Sequence, residues 1–241
     1  MTAFNRHIDM LKLVARALGP ELRRQMTFVG GCTTGLLLTD AYTQEQVRHT
    51  DDVDLIVHVM GYVGFHHLQE QLWGQGFKQY SAASNEDFPV CAMRLGDLRV
   101  DFMPDDEKIL GFGNRWYRDA VETATTYPLG DELDINLINP VYFIATKLEA
   151  YKGRGNSDPM SSRDIEDILN LIDGREELQA EVEAAEKDVR HYIATEVAEL
   201  LEHSNLPYAI QSQAEGSAER EELLFLRLEQ LAFSQQPTEY K

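Results

Sequence analysis

The apolar positions near the start of the chain recur three and four apart. Ile8, Leu11, Val14, Ala15 and Leu18 fall on one face, with Arg6, Lys12 and Arg16 between them. Residues 4–18 therefore read as an amphipathic helix closed by Gly19-Pro20. The period then shortens. Residues 26–29 read as a strand running into Gly30-Gly31, 33–39 as a short helix, and the polar stretch 40–50 as a loop. A strand is expected over 53–60 and a helix over 63–74. Two apolar runs, 90–95 and 98–103, flank Gly96-Asp97, which suits a two-residue hairpin turn. Further strands are expected at 121–127 and 133–137.

From Pro140 onward the period is helical. Proline is favoured in a first turn, so a helix is expected over 140–152. A loop over 153–159 follows, then a helix capped by Ser161 or Ser162 and running to 173. Helices are expected at 175–204 and 217–233, with 234–241 as a frayed tail. The pattern predicts an α+β fold: a small mixed-sheet domain over 1–138, followed by an all-helical domain over 139–241.

Composition narrows the class. Of 241 residues, 43% are hydrophobic, which allows a substantial core. Two cysteines, Cys32 and Cys91, exclude a disulfide framework or a cysteine-rich zinc site and read as small buried apolar residues. No apolar run is long enough to span a bilayer, and residues 1–18 lack a signal-peptide pattern, so a cytoplasmic protein without a membrane partner is expected. A formal net charge of -19 argues against a broad electrostatic grip on nucleic acid. Much of the acid lies late, where 174–202 read as a solvated helical face.

The chemistry-bearing residues are carboxylates. Alternate side chains of a strand share a face, so Asp52 and Asp54 point the same way while Val53, Leu55 and Val57 face the core. Such crowded charge is unfavourable unless a cation neutralises it, and oxygen ligands suit magnesium. Asp101, between the apolar Val100 and Phe102, repeats the pattern. If its strand lies beside that of Asp52 and Asp54, the trio can hold two magnesium ions around a nucleoside triphosphate. Gly30-Gly31, between a strand and a short helix, lets backbone N–H groups approach a phosphate, with Thr33 and Thr34 offering hydroxyls. Taken singly, these features are also what a solvent-facing edge strand and an ordinary tight turn would show.

Together they resemble a known family. Gly30-Gly31, a short helix and Arg48-His49-Thr50-Asp51-Asp52-Val53-Asp54-Leu55 resemble the signature of the DNA polymerase β-like nucleotidyltransferase superfamily. The form R-x-[ST]-x-D-[IV]-D-L is closest to the AbiEii/AbiGii branch, nucleotidyltransferase toxins of abortive-infection and type IV toxin–antitoxin systems. Downstream, Ala145-Thr146-Lys147-Leu148-Glu149-Ala150 is similar to the branch's A-x-K-L-x-A helix, and Arg163-Asp164-Ile165-Glu166-Asp167-Ile168 to its R-D-x-x-D-[IL]. The resemblance covers about residues 26–172. Cys32 stands where the family has Thr or Ser, and the interval from Gly31 to Asp52 is longer than usual.

The resemblance implies transfer of a nucleoside monophosphate from a nucleoside triphosphate to an acceptor hydroxyl, of tRNA or another macromolecule, by two-metal catalysis. It makes Asp52, Asp54 and Asp101 catalytic metal ligands and assigns Gly30, Gly31, Thr33 and Thr34 to the phosphates. Lys147, Arg163 and Asp164 would complete the nucleotide site from the helical domain. A cognate antitoxin would be a partner. Two other readings stand beside this one: a nucleotidyltransferase of small molecules such as aminoglycosides, and a non-catalytic nucleotide- or partner-binding module.

Overall fold

The computed structural model describes residues 2–80, 89–154 and 158–234. Residues 155–157 of the expected loop and 235–241 of the expected tail lie outside the described residues. In chain order the elements begin with α1 (Ala3–Arg24), β1 (Met26–Val29), α2 (Thr34–Leu37), α3 (Ala41–Glu45), β2 (Asp52–Val57) and α4 (Gly61–Gly74). Then come β3 (Lys78–Gln79), β4 (Ala92–Leu95), β5 (Leu98–Pro104), α5 (Tyr117–Glu122), β6 (Thr125–Pro128) and β7 (Asp134–Leu137). The remainder is helical: α6 (Pro140–Gly153), α7 (Arg163–Gly174), α8 (Leu178–Ala184), α9 (Lys187–Leu201), α10 (Leu206–Gln213) and α11 (Ala218–Phe233). The class is α+β, with a mixed sheet followed by helices. Among the described residues no helix is long and apolar enough to cross a membrane.

Backbone contacts divide the chain into two compact units. The first is Met1–Thr33 with His49–Asn139; the second is Thr34–Arg48 with Pro140–Lys241. One division falls between Asn139 and Pro140, and the units are discontinuous in sequence, unlike the contiguous 1–138 and 139–241 expected from the hydrophobic period. The assignment of Thr34–Arg48 to the helical unit has no counterpart in that pattern.

All seven strands lie in the first unit, in the order β3-β4-β5-β2-β1-β7-β6. The pairs β2–β5 and β1–β7 are parallel; the others are antiparallel. Val53 and Leu55 of β2 and Val100 of β5 are fully buried, each stabilising the unit by about 1.5–3 kcal/mol. Helix α1 buries Leu11, Val14, Ala15, Leu18 and Leu22 and packs on β1, β2 and β7. Its continuity breaks at Gly19, whose φ of 69° is open to glycine, and Pro20 starts a second short helical segment instead of ending the element.

Three expectations need correction in this unit. Residues 121–127 do not form one strand: α5 occupies Tyr117–Glu122, and only Thr125–Pro128 is extended. The Asn114 side chain accepts from the Trp116 N–H at 3.1 Å and turns the chain into α5, which buries Trp116 and Ala120 one turn apart. The strand expected over 53–60 is shorter, since Gly61 opens α4 at φ 72°. The two-residue strand β3, which pairs with β4, is too short to show a period.

In the second unit α7 is central. It buries Ile165, Ile168, Leu169, Leu171 and Ile172 and packs against α2, α3, α6, α10 and α11. The stretch 40–50, expected to be loop, contains α3, capped by the Asp40 carboxylate, which accepts from the Thr43 N–H and hydroxyl at 2.8 and 2.7 Å. The 34–48 segment is tied down by polar contacts. The Gly174 carbonyl accepts from the N–H groups of Thr39 and Asp40, and Arg175 donates to the Leu37 carbonyl at 2.7 Å. A side chain at Gly174 would press on Thr43 and Leu38. The expected helix over 175–204 is two helices, α8 and α9, broken where Ala185 and Glu186 are extended. Helix α10 lies in a stretch for which no element was expected.

Candidate functional site

The carboxylates are gathered in the first unit by strand register. Asp52 lies opposite Arg99 and Asp54 opposite Asp101 across the parallel β2–β5 pair. Paired positions in a sheet point to the same face, so all three acids and Arg99 project together. Asp101 is buried, whereas Asp52 and Asp54 are half-exposed.

The glycine turn meets the same place. Val29 pairs with Asp54, and Gly30 follows at φ 75°. A Cβ added to Gly30 would fall on the carboxylate of Asp54. Only glycine satisfies both the backbone angle and the contact. Gly31, Cys32 and Thr33 continue as a single tight helical turn, all buried. The Thr33 N–H and hydroxyl both donate to the Gly30 carbonyl, at 3.1 and 2.8 Å, so its hydroxyl braces the turn. Thr34 is buried, and its hydroxyl has no hydrogen-bond partner among the described residues.

Two residues behind the acids had no assigned role from sequence. Thr50 donates its hydroxyl to Asp52, and its N–H donates to Nε2 of the buried His7 at 3.4 Å. Cys32 in turn donates to the His7 carbonyl at 3.7 Å. Cys32 thus has a packing role. Arg99 donates from Nε to Asp101 Oδ1 at 2.8 Å and from Nη2 to Oδ2 at 2.6 Å. Its place two residues before Asp101, on the same face of one strand, was the available signal. The Asp101 hydrogen bonds raise the Arg99 pKa further, opposed by burial and aided by the charges of Asp101, Asp52 and Asp54. Burial, with Asp101 and Asp54 nearby, pushes the Cys91 thiol up to about 12, so it is an inert core group.

Three carboxylates and one guanidinium thus share this face. The donors are all hard oxygens, which fits a divalent ion such as magnesium. Asp52 and Asp54 are the residues that fit it. Asp101 is different, because both of its oxygens already accept from Arg99. Among the described residues no three His, Cys, Asp or Glu side chains stand in a metal-cluster arrangement.

The residues singled out in the second half lie within the second unit. Lys147, on α6, is buried, with its ammonium 2.6 Å from Asp167 and 3.3 Å from Asp164. Arg48 forks onto Asp167 at 2.9 Å through both Nε and Nη2. Arg154 reaches Asp164 at 2.9 Å. Burial pulls the Lys147 pKa down, but Asp167 and Asp164 outweigh it, leaving it raised. Burial likewise pushes Asp167 up, and Lys147 with Arg48 outweighs it, leaving it lowered. Lys147 is therefore held inside an ion network with Asp164, Asp167 and Arg48. Arg163 is exposed at the start of α7, where Arg154, Arg163, Asp164, Tyr151, Ser161 and Ser162 line a cavity of about 180 Å³. Arg48 and Asp167 escaped notice as site residues because their pairing joins positions 119 apart.

No protein-family model matches the sequence, and comparison with curated proteins gives no match.

Proposed function

We propose that the chain is a magnesium-dependent nucleotidyltransferase that moves a nucleoside monophosphate from a nucleoside triphosphate to an acceptor hydroxyl. The observation that carries this reading is the seat of Gly30 against Asp54, beside Asp101 in register. Triphosphate chemistry needs backbone that phosphates can approach and a cation site in one place, and a glycine turn seated against a carboxylate supports that reading.

Asp52 and Asp54 would hold the divalent ion. When bound, such an ion neutralises triphosphate oxygens and lowers the pKa of an attacking hydroxyl. The chain's own residues do the rest. Gly30, half-exposed at the mouth of the turn, would be where the backbone meets a phosphate, and Gly31 is buried. Thr50, backed by His7, fixes the Asp52 carboxylate in one rotamer. Arg99 sets a fixed positive charge where the transferred group gains negative charge. The resemblance to the AbiEii/AbiGii branch extends the proposal to a toxin-type enzyme acting in the cytoplasm on tRNA or another macromolecule, with an antitoxin as partner.

The test is label transfer. The protein is incubated with magnesium, each labelled nucleoside triphosphate, and tRNA, aminoglycosides or its own chain as acceptor. Transfer that falls at least about 100-fold in Asp54→Ala supports the reading. Absence of both transfer and magnesium-dependent nucleotide binding sinks it.

A further inference from the structure

A two-ion site needs its third carboxylate to present oxygen to metal. In this chain Asp101 presents both oxygens to Arg99 instead, in a two-point fork at 2.8 and 2.6 Å. Such forks are the strongest and most directional of side-chain ion contacts. The pairing is built into the sheet. Arg99 and Asp101 are two residues apart on one strand face, so the fork is local, and the parallel register sets Arg99 opposite Asp52 and Asp101 opposite Asp54. The guanidinium therefore stands among all three acids. Its charge is permanent at any pH the fold survives. On the Asp52 side, Oδ1 already accepts from Thr50, which thins the oxygen supply further.

Resting on the nucleotidyltransferase reading, we infer that Arg99 is a resident cation standing in for a second divalent ion, so that the protein's own site takes one metal ion and not two. Asp101 is then a positioning residue for Arg99 and not a metal ligand. Arg99 supplies electrostatic stabilisation at that place but no Lewis-acid activation, so only the ion at Asp52 and Asp54 can activate an oxygen.

The test counts manganese ions bound to the full chain, without nucleotide, by electron paramagnetic resonance and calorimetry. Wild type, Arg99→Gln and Arg99→Lys are compared, with folding checked by circular dichroism. The expected result is one ion on wild type. Arg99→Gln should bind a second ion, or bind the first tighter by on the order of tenfold or more, since a nearby like charge is gone. Arg99→Lys, which keeps the charge, should stay near wild type. Two ions on wild type, or an Arg99→Gln protein unchanged in number and affinity, overturns the inference while leaving the metal site standing. If Arg99→Gln does not fold, the wild-type count and the Arg99→Lys comparison still decide. No binding to any of the three proteins removes the metal reading itself.

Discussion

Asp52, Asp54 and Asp101 share one guanidinium among three carboxylates, on a half-exposed sheet face. Asp164 and Asp167 share three cations, Lys147, Arg48 and Arg154, and both acids are buried. The first cluster sets three acids around one arginine, and the second sets two buried acids among three cations. Removing one partner from a buried ion network is costly. Like charges crowded on a partly exposed face are the arrangement that a cation would relieve. Motif spacing alone does not separate the two cases; the inventory of partners does.

The largest effect should come from breaking the buried cluster. Lys147→Met leaves two buried carboxylates without their shared ammonium and should cost about 3–5 kcal/mol in urea unfolding. Asp54→Asn should show the reverse profile: on the proposed reading transfer is lost, while the stability loss is smaller than in Lys147→Met because the position is half-exposed. Equal stability losses in these two variants would erase the distinction between the clusters.

Gly30→Ala comes next. At φ 75° and against Asp54, an added methyl should cost about 1–3 kcal/mol and abolish transfer. A normally active Gly30→Ala protein would separate the turn from the carboxylate site.

The acid-side stability profile sharpens the comparison. Asp167 is held below the usual carboxylate range in the folded protein, where Lys147 and Arg48 outweigh burial. Its contribution is fully present above the unfolded value of about 4 and is lost as pH falls toward the lower folded value. Urea midpoints for wild type should therefore drop below about pH 4. In Lys147→Met that drop should be smaller, because the depression has been removed. The smallest effect is expected for Arg154→Ala. Its side chain is 64% exposed, so solvent screens the pair, and stability should change by less than about 1 kcal/mol.

The carboxylate face was legible in the sequence because a strand's period of two puts Asp52 and Asp54 on one side and Val53 and Leu55 on the other. Asp101 joined them through a hairpin with a clear Gly96-Asp97 turn. What was not legible depended on distant partners. The Arg99 fork has meaning only once β5 lies along β2. The ion pair of Lys147 was not legible because nothing in its neighbourhood announces Asp167 twenty residues later as its acceptor. Val121–Tyr127 has β-forming residues, yet its first half is helical because Trp116 and Ala120 are buried together. Helix α3 is only five residues long and polar, so it shows no hydrophobic stripe.

The discontinuity of the helical unit bears on how the chain folds as it is made. Residues 34–48 leave the ribosome well before the helix they pack against, α7, which begins at Arg163. At typical synthesis rates that wait lasts roughly 5–25 s. During it Leu36, Leu37, Leu38 and Val47, buried in the finished protein, have no α7 to cover them. Over the same interval the strands of the sheet emerge in full. Those four side chains therefore gain their α7 neighbours last.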